Sequence, residues 1–209
     1  MNQQEIEHLI PAQFEENSKV WVYQSSRPFS EQQEKEVEEQ VLHFTEQWEE
    51  NGKRVHSWGK LLFGRFIIII ADENPEAYNL ESMNRVLKSI ERQYDCRLFD
   101  RPSNTFLIKN KAEVLPLNQV QYAIDKGFIQ KETLMFNNMV ENKKDLLTRW
   151  LQPISTTWLA ARLNFKEENG YNIFGDVYPW NYSNVQNQFL NVAESLRDAM
   201  SKNPDLKVY

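Results

Sequence analysis

The sequence predicts an α+β fold: a ferredoxin-like, split β-α-β-β-α-β core, followed by added strands and helices and a C-terminal helical appendage. Three observations carry this expectation. Residues 66–70, FIIII, form a short run of aromatic and β-branched residues, the signature of a strand buried on both faces. Residues 20–23, VWVY, are a second such run. Two amphipathic helical patterns alternate with these runs and with two more polar strands, so residues 20–100 read strand, helix, strand, strand, helix, strand. In that plan the two apolar strands are central and adjacent, and the polar ones are edges.

Taken in order, residues 1–18 carry a thin apolar stripe, Ile6, Leu9, Ile10 and Phe14, and read as a short helix or docking arm. After the first strand, Ser30 and Gln33 form a capping-box pattern that starts a helix. Val37, Val41, Phe44 and Trp48 make its apolar face, while Glu31, Glu34, Glu36, Glu38, Glu39, Glu46, Glu49 and Glu50 make a solvated acidic face. Asn51-Gly52 is expected to end it. Residues 54–58 read as a polar strand, Gly59-Lys60 as a turn, and 61–72 as the long central strand, with Gly64 marking a bulge or a close backbone approach. A loop at 73–79 leads to a helix with Met83, Val86, Leu87, Ile90 and Tyr94 on one face, and residues 96–100 form a short fourth strand.

Both helices of such a core lie on one sheet face, so strands apolar on both sides demand a second cover. The sequence offers a hairpin of 105–108 and 112–115 around residues 109–111. It adds a helix at 118–126 with Val120, Ala123 and Ile124 inward and Gly127 past its end. A strand within 132–139 follows. A helix at 142–150 then presents Leu146, Leu147 and Trp150, stopped near Pro153. Residues 164–180 lose all periodicity, which sets a boundary between a domain at 1–163 and an appendage at 164–209. Within the appendage, Ser183 and Gln186 repeat the capping box, and Val185, Phe189, Val192, Leu196 and Met200 share a helix face. That helix is expected to pack weakly on the core, and the terminal LKVY reads as the start of a strand.

Composition narrows the function classes. At 209 residues, with 41% hydrophobic and 26% charged residues, the chain can bury a core without staples and is not wholly disordered. The net charge of −6, with no basic run, disfavours nucleic acid as a partner. Cys96 is the lone cysteine, which excludes an internal disulfide and a thiolate metal site. The N-terminal MNQQEIEHLIPAQFEEN has no basic n-region and no long apolar h-region, and no later run is long enough to span a bilayer. A cytoplasmic protein without membrane insertion is the expectation.

The chemistry-bearing motifs are near misses. Residues 59–66, GKLLFGRF, approach the phosphate-binding GxxxxGK[ST] loop, but Arg65 stands at the lysine and Phe66 at the magnesium-holding hydroxyl, and a strand follows instead of a helix. Residues 67–73, IIIIADE, mimic a Walker B strand a few residues too early for a P-loop core. His8, His43 and His56 lack paired ligand spacing, and Cys96 reads as a small core residue. Asn181-Tyr182-Ser183 is a glycosylation sequon without a secretory signal. No catalytic residue, metal ligand or cofactor is assigned. The polar groups placed beside apolar runs, Arg65, Asp72, Asp100, Arg101, Asn137 and Asn138, are the candidates for lining a cleft.

Two resemblances add to this reading. VWVYQSSRPF at 20–29, GRFIIIIADE at 64–73, LFDR at 98–101, FNNMVENKKDL at 136–146, and Trp150, Pro153 and Trp158 make residues 19–163 resemble a family of small bacterial proteins labelled "ABC transporter ATPase". The label implies ATP hydrolysis, yet the chain has neither a P-loop nor an LSGGQ-type signature. VYPW at 177–180 and NVAESLRDAMSKNPDLKVY at 191–209 make residues 168–209 resemble a segment of the serine carboxypeptidase-like peptidases. The piece matched precedes the strand that carries the catalytic aspartate, and the GxSxG elbow and catalytic histidine are absent. That implies shared ancestry or fusion of a fragment, with the tail either a natural extension or the product of a composite or truncated reading frame. The expected function is a non-enzymatic binding module acting on a protein partner or a second copy of itself. The alternatives are a nucleotide-handling protein and an inactive peptidase fragment.

Overall fold

We describe the protein from a computed structural model, which describes residues 3–72, 80–99 and 104–165. The chain divides into two units, Met1–Phe165 and Lys166–Tyr209. The loop at 73–79, Asp100, Arg101, and the boundary stretch and helix expected in the tail lie outside the described residues, but for 164 and 165. The first unit is α+β. Its helices are α1 (Gln3–Leu9), α2 (Glu31–Gln47), α3 (Glu81–Tyr94), α4 (Leu117–Asp125) and α5 (Lys143–Arg149). Its strands are β1 (Lys19–Gln24), β2 (Glu49–Glu50), β3 (Lys53–Arg54), β4 (Ser57–Leu62), β5 (Phe66–Ala71), β6 (Asn104–Ile108), β7 (Lys111–Leu115), β8 (Leu134–Phe136) and β9 (Leu151–Pro153). Among the described residues no helix is long and apolar enough to cross a membrane.

The first sheet has the order β1-β5-β4, antiparallel throughout. The two apolar runs are therefore neighbours, with Val20 opposite Ile70 and Tyr23 opposite Ile67. Among the described residues only β5 is central, however, and all six of its residues are buried. The fourth strand expected at 96–100 does not form across 96–99. It is reduced there to one backbone bond, Ser26 N–H to the Arg97 carbonyl at 2.9 Å, with the Arg97 N–H returning to Ser26 Oγ at 3.1 Å. The order is compatible with the split β-α-β-β-α-β plan, with β1 an edge among the described residues.

Three boundaries differ from the sequence expectation. The strand expected at 54–58 lies at 57–62, and the turn lies at 63–65 instead of Gly59-Lys60. Gly59 is mid-strand because α2 crosses it: a Cβ there would sit 2.6 Å from Val41 Cγ1. The turn belongs to Phe63 and Gly64, whose φ of 53° and 61° give a type I′ geometry closed by the Arg65 N–H on the Leu62 carbonyl. Arg65 is then one residue extra before pairing resumes at Leu62 and Phe66, a bulge one position past Gly64. Finally, α2 ends at Gln47, because Trp48 turns extended and is buried. Asn51 and Gly52, with φ of 52° and 73°, make the tip of the β2–β3 hairpin and do not cap the helix.

Both faces of β5 are covered, by alternation. Ile67, Ile69 and Ala71 pack with Val37, Val41 and Phe44 of α2 and Met83, Leu87 and Ile90 of α3. Phe66, Ile68 and Ile70 pack with Phe136, Leu146 and Trp150, and with Ile6, Ile10 and Phe14 of the N-terminal arm. Each such side chain contributes about 1.5–3 kcal/mol when fully buried. The capping box of α2 forms as expected, with the Gln33 N–H on Ser30 Oγ and the Ser30 N–H on Gln33 Oε1. The second cover is a sheet of order β7-β6-β8-β9. Its expected hairpin turns at Lys109 and Asn110, both at positive φ. The strand expected within 132–139 shortens to β8, and β9 pairs with it where the sequence suggested no strand. On the far side of this sheet, Val120 and Ala123 of α4 pack with Phe106, Ile129, Ile154 and Leu159.

Candidate functional site: the groove along the first strand

The pairing parity of β1 defines what its outer edge offers. The Ser25 N–H donates to the Arg65 carbonyl at 2.8 Å, so residue 25 faces β5, and by alternation so do Tyr23, Trp21 and Lys19. The even residues turn their main-chain groups outward. The Val20 N–H donates to the Glu141 carbonyl at 3.0 Å, and the Ser26 N–H is taken by Arg97. Val22 lies between these two anchors, and among the described residues no backbone group pairs with its outward N–H and carbonyl.

Along this edge runs a groove of about 1410 Å³. Its floor is β1; one wall includes Leu80, Asn84, Leu98 and Phe99, and the other includes residues 114–117, 135–141 and 156–158. Six large apolar side chains among the described residues are strongly exposed, and four of them line this groove: Met139 (63%), Trp158 (57%), Leu117 (45%) and Phe99 (40%). Scattered exposed apolar residues are ordinary, but their convergence on one concavity marks an interaction surface. The volume exceeds the roughly 300–1,000 Å³ of ordinary small-molecule pockets. Among the described residues the charged lining consists of two cations, Lys19 and Arg149, and one carboxylate, Glu141, in a chain whose net charge is −6.

A hydrogen-bonded polar seam stiffens the floor. Gln24 Oε1 accepts from Asn138 Nδ2 at 2.7 Å and from Thr105 Oγ1 at 3.0 Å, and Asn138 Oδ1 accepts from the buried Trp150 Nε1 at 3.3 Å. The Asn137 N–H donates to the Trp150 carbonyl, and Asn137 Oδ1 takes the Met139 N–H, which fixes the loop that presents Met139. Asn137 and Asn138, two of the residues singled out from sequence, are thus brought together in the groove.

The other sequence candidates lie elsewhere. Arg65 is buried in the turn before β5, outside the groove lining. Its Nη1 donates to the Ser25 carbonyl at 3.2 Å, while Nε has no partner among the described residues. Burial pulls the Arg65 pKa down, against the opposing effect of Glu113. Asp72 follows β5 at its other end, where its Oδ2 meets His56 Nδ1 at 2.8 Å. Seven residues of extended chain separate Arg65 from Asp72, about 23 Å at ~3.3 Å per residue, so the two do not share a site. Asp100 and Arg101 are outside the described residues.

Residues 59–66 form the second half of β4, the hairpin turn and the start of β5, with Lys60 against Glu38 at 3.9 Å. Burial pushes the Cys96 thiol pKa up, which opposes thiolate formation. Among the described residues no group of three or more His, Cys, Asp or Glu side chains is placed to hold a metal ion. Sequence reasoning missed Phe99, Leu117, Met139 and Trp158. No local signal set them apart: Phe99 follows Leu98, Leu117 comes two residues after Leu115, Met139 precedes Val140 and Trp158 precedes Leu159, so each reads as part of an apolar run.

No protein-family model, no curated protein and no solved structure matches this chain.

Proposed function

We propose that this chain is a protein-binding module whose groove along β1 receives an apolar segment of a partner. The observation that carries the reading is the convergence of Phe99, Leu117, Met139 and Trp158 on one open concavity. Support comes also from the floor, where the Gln24–Asn138–Trp150 seam holds the surface in one shape before any partner arrives.

The test uses the full chain as bait for displayed random peptides, with the enriched peptides then synthesised and titrated. Trp158→Ser and Met139→Ser are expected to weaken their binding at least tenfold. Leu42→Ser, a change at an exposed apolar residue on α2 away from the groove, leaves it unchanged. Equal affinity of all three variants, or a selection that enriches nothing, overturns the reading.

A further inference from the structure

We infer that the groove takes its occupant by strand addition: an extended peptide segment of another protein lies along β1 and exchanges main-chain hydrogen bonds with Val22. This deepens the binding-module reading and rests on it. A strand edge is a row of main-chain donors and acceptors, and proteins ordinarily blunt it with proline, charge or a cover. Here the two ends of β1 are already blunted by the chain itself, at Val20 through Glu141 and at Ser26 through Arg97. Between them, Val22 presents one donor and one acceptor outward, the pair that a single strand residue exchanges in an antiparallel ladder.

The surroundings select the occupant. A strand placed in the plane of the sheet sends alternate side chains to opposite walls. One wall holds Phe99 and the other Met139 and Trp158, so both sets of alternate side chains meet apolar surface. The partner is therefore an extended segment with large apolar residues at alternate positions. The described lining carries two cations and one carboxylate within an acidic chain, which favours segments of neutral to acidic charge. A second copy cannot pair through its own β1, which lies on the floor of the same recess, because two recesses cannot bring their floors to the ~4.8 Å that pairing requires. A small ligand leaves most of about 1410 Å³ unfilled.

The experiment takes a peptide selected on the full chain and methylates its backbone nitrogens one at a time. Methylation deletes a donor and leaves the side chains alone. If the peptide pairs with Val22, a methyl group at one nitrogen, the donor to the Val22 carbonyl, lowers affinity tenfold or more, while methyl groups at the nitrogens on either side change it less than twofold. Peptides that lose affinity for the Trp158→Ser protein yet show no single sensitive nitrogen keep the groove as a binding surface and overturn strand addition. Peptides enriched with apolar residues spaced three and four apart, which bind as helices, overturn it in the same way. Peptides indifferent to Trp158→Ser and Met139→Ser remove the groove reading itself, and this inference with it.

Discussion

Trp150 and Trp158 stand in the same short C-terminal part of the first unit and end in opposite circumstances. Trp150 is 0% exposed, its ring 5.3 Å from that of Phe66 and 5.2 Å from that of Phe136. Trp158 is 57% exposed on a groove wall, with the Arg162 guanidinium 5.2 Å from its ring centre. The contrast holds for the regions around them. On the face covered by α2 and α3, burial and hydrogen bonding account for the large side chains: the Tyr94 hydroxyl donates to Glu36 Oε2 at 2.8 Å and accepts from Gln93 and Gln40. Along β1, folding leaves exposed apolar side chains beside a main-chain pair that no backbone group of the described residues takes up. Burial accounts for the first region, and the proposed binding function rests on the second.

The largest expected effect sharpens this difference. Trp150→Ala should cost about 3–5 kcal/mol, as for large aromatic deletions in a core. Trp158→Ala should stay within about 0.5 kcal/mol in the same urea titration, as for surface changes. A comparable loss at Trp158 would show that the groove wall is part of the core.

Gly59→Ala comes next. Its new Cβ meets Val41 Cγ1 at 2.6 Å, so α2 must shift, at a cost of about 1–3 kcal/mol. Gly52→Ala meets no atom within 4 Å but keeps a φ of +73°, so about 1–2 kcal/mol of backbone strain is the whole effect. Denaturant midpoints for the two variants measure this ordering.

Tyr94→Phe follows, at about 0.5–1.5 kcal/mol for the lost hydroxyl bonds. Burial first, and then the Glu36 carboxylate, push the Tyr94 pKa up to about 12. The fold thus holds the hydroxyl proton more tightly than the unfolded chain does, whose value is ~10. The stabilisation is complete below pH ~10 and is lost as pH rises through the folded value. The melting-temperature advantage of the wild type over Tyr94→Phe should shrink as pH rises through that window. A constant difference would place the contribution in packing alone.

Much of this fold was legible in the sequence, for physical reasons that also explain the failures. The Ser30/Gln33 box, the alternation of β5 and the helical faces are local patterns with local causes, and they form. The hairpin turn at 63–65 was misplaced because its two glycines serve different ends. Gly59 yields space to a helix distant in sequence, while Gly64 supplies a positive φ. Asn51-Gly52 satisfies a helix stop and a type I′ turn equally well, and the burial of Trp48 decides between them. Asn137 and Asn138 were legible as polar groups beside an apolar run. The groove was not, because its walls come from segments as far apart as Phe99 and Trp158, and no local pattern records that they meet.

Amide hydrogen exchange along β1 in the free, full-length chain tests the open edge most directly. Trp21 and Tyr23 turn their N–H groups to β5, and the account predicts that both exchange orders of magnitude more slowly than Val22. A Val22 amide as protected as its two neighbours would show that the edge is already paired, and would contradict the account.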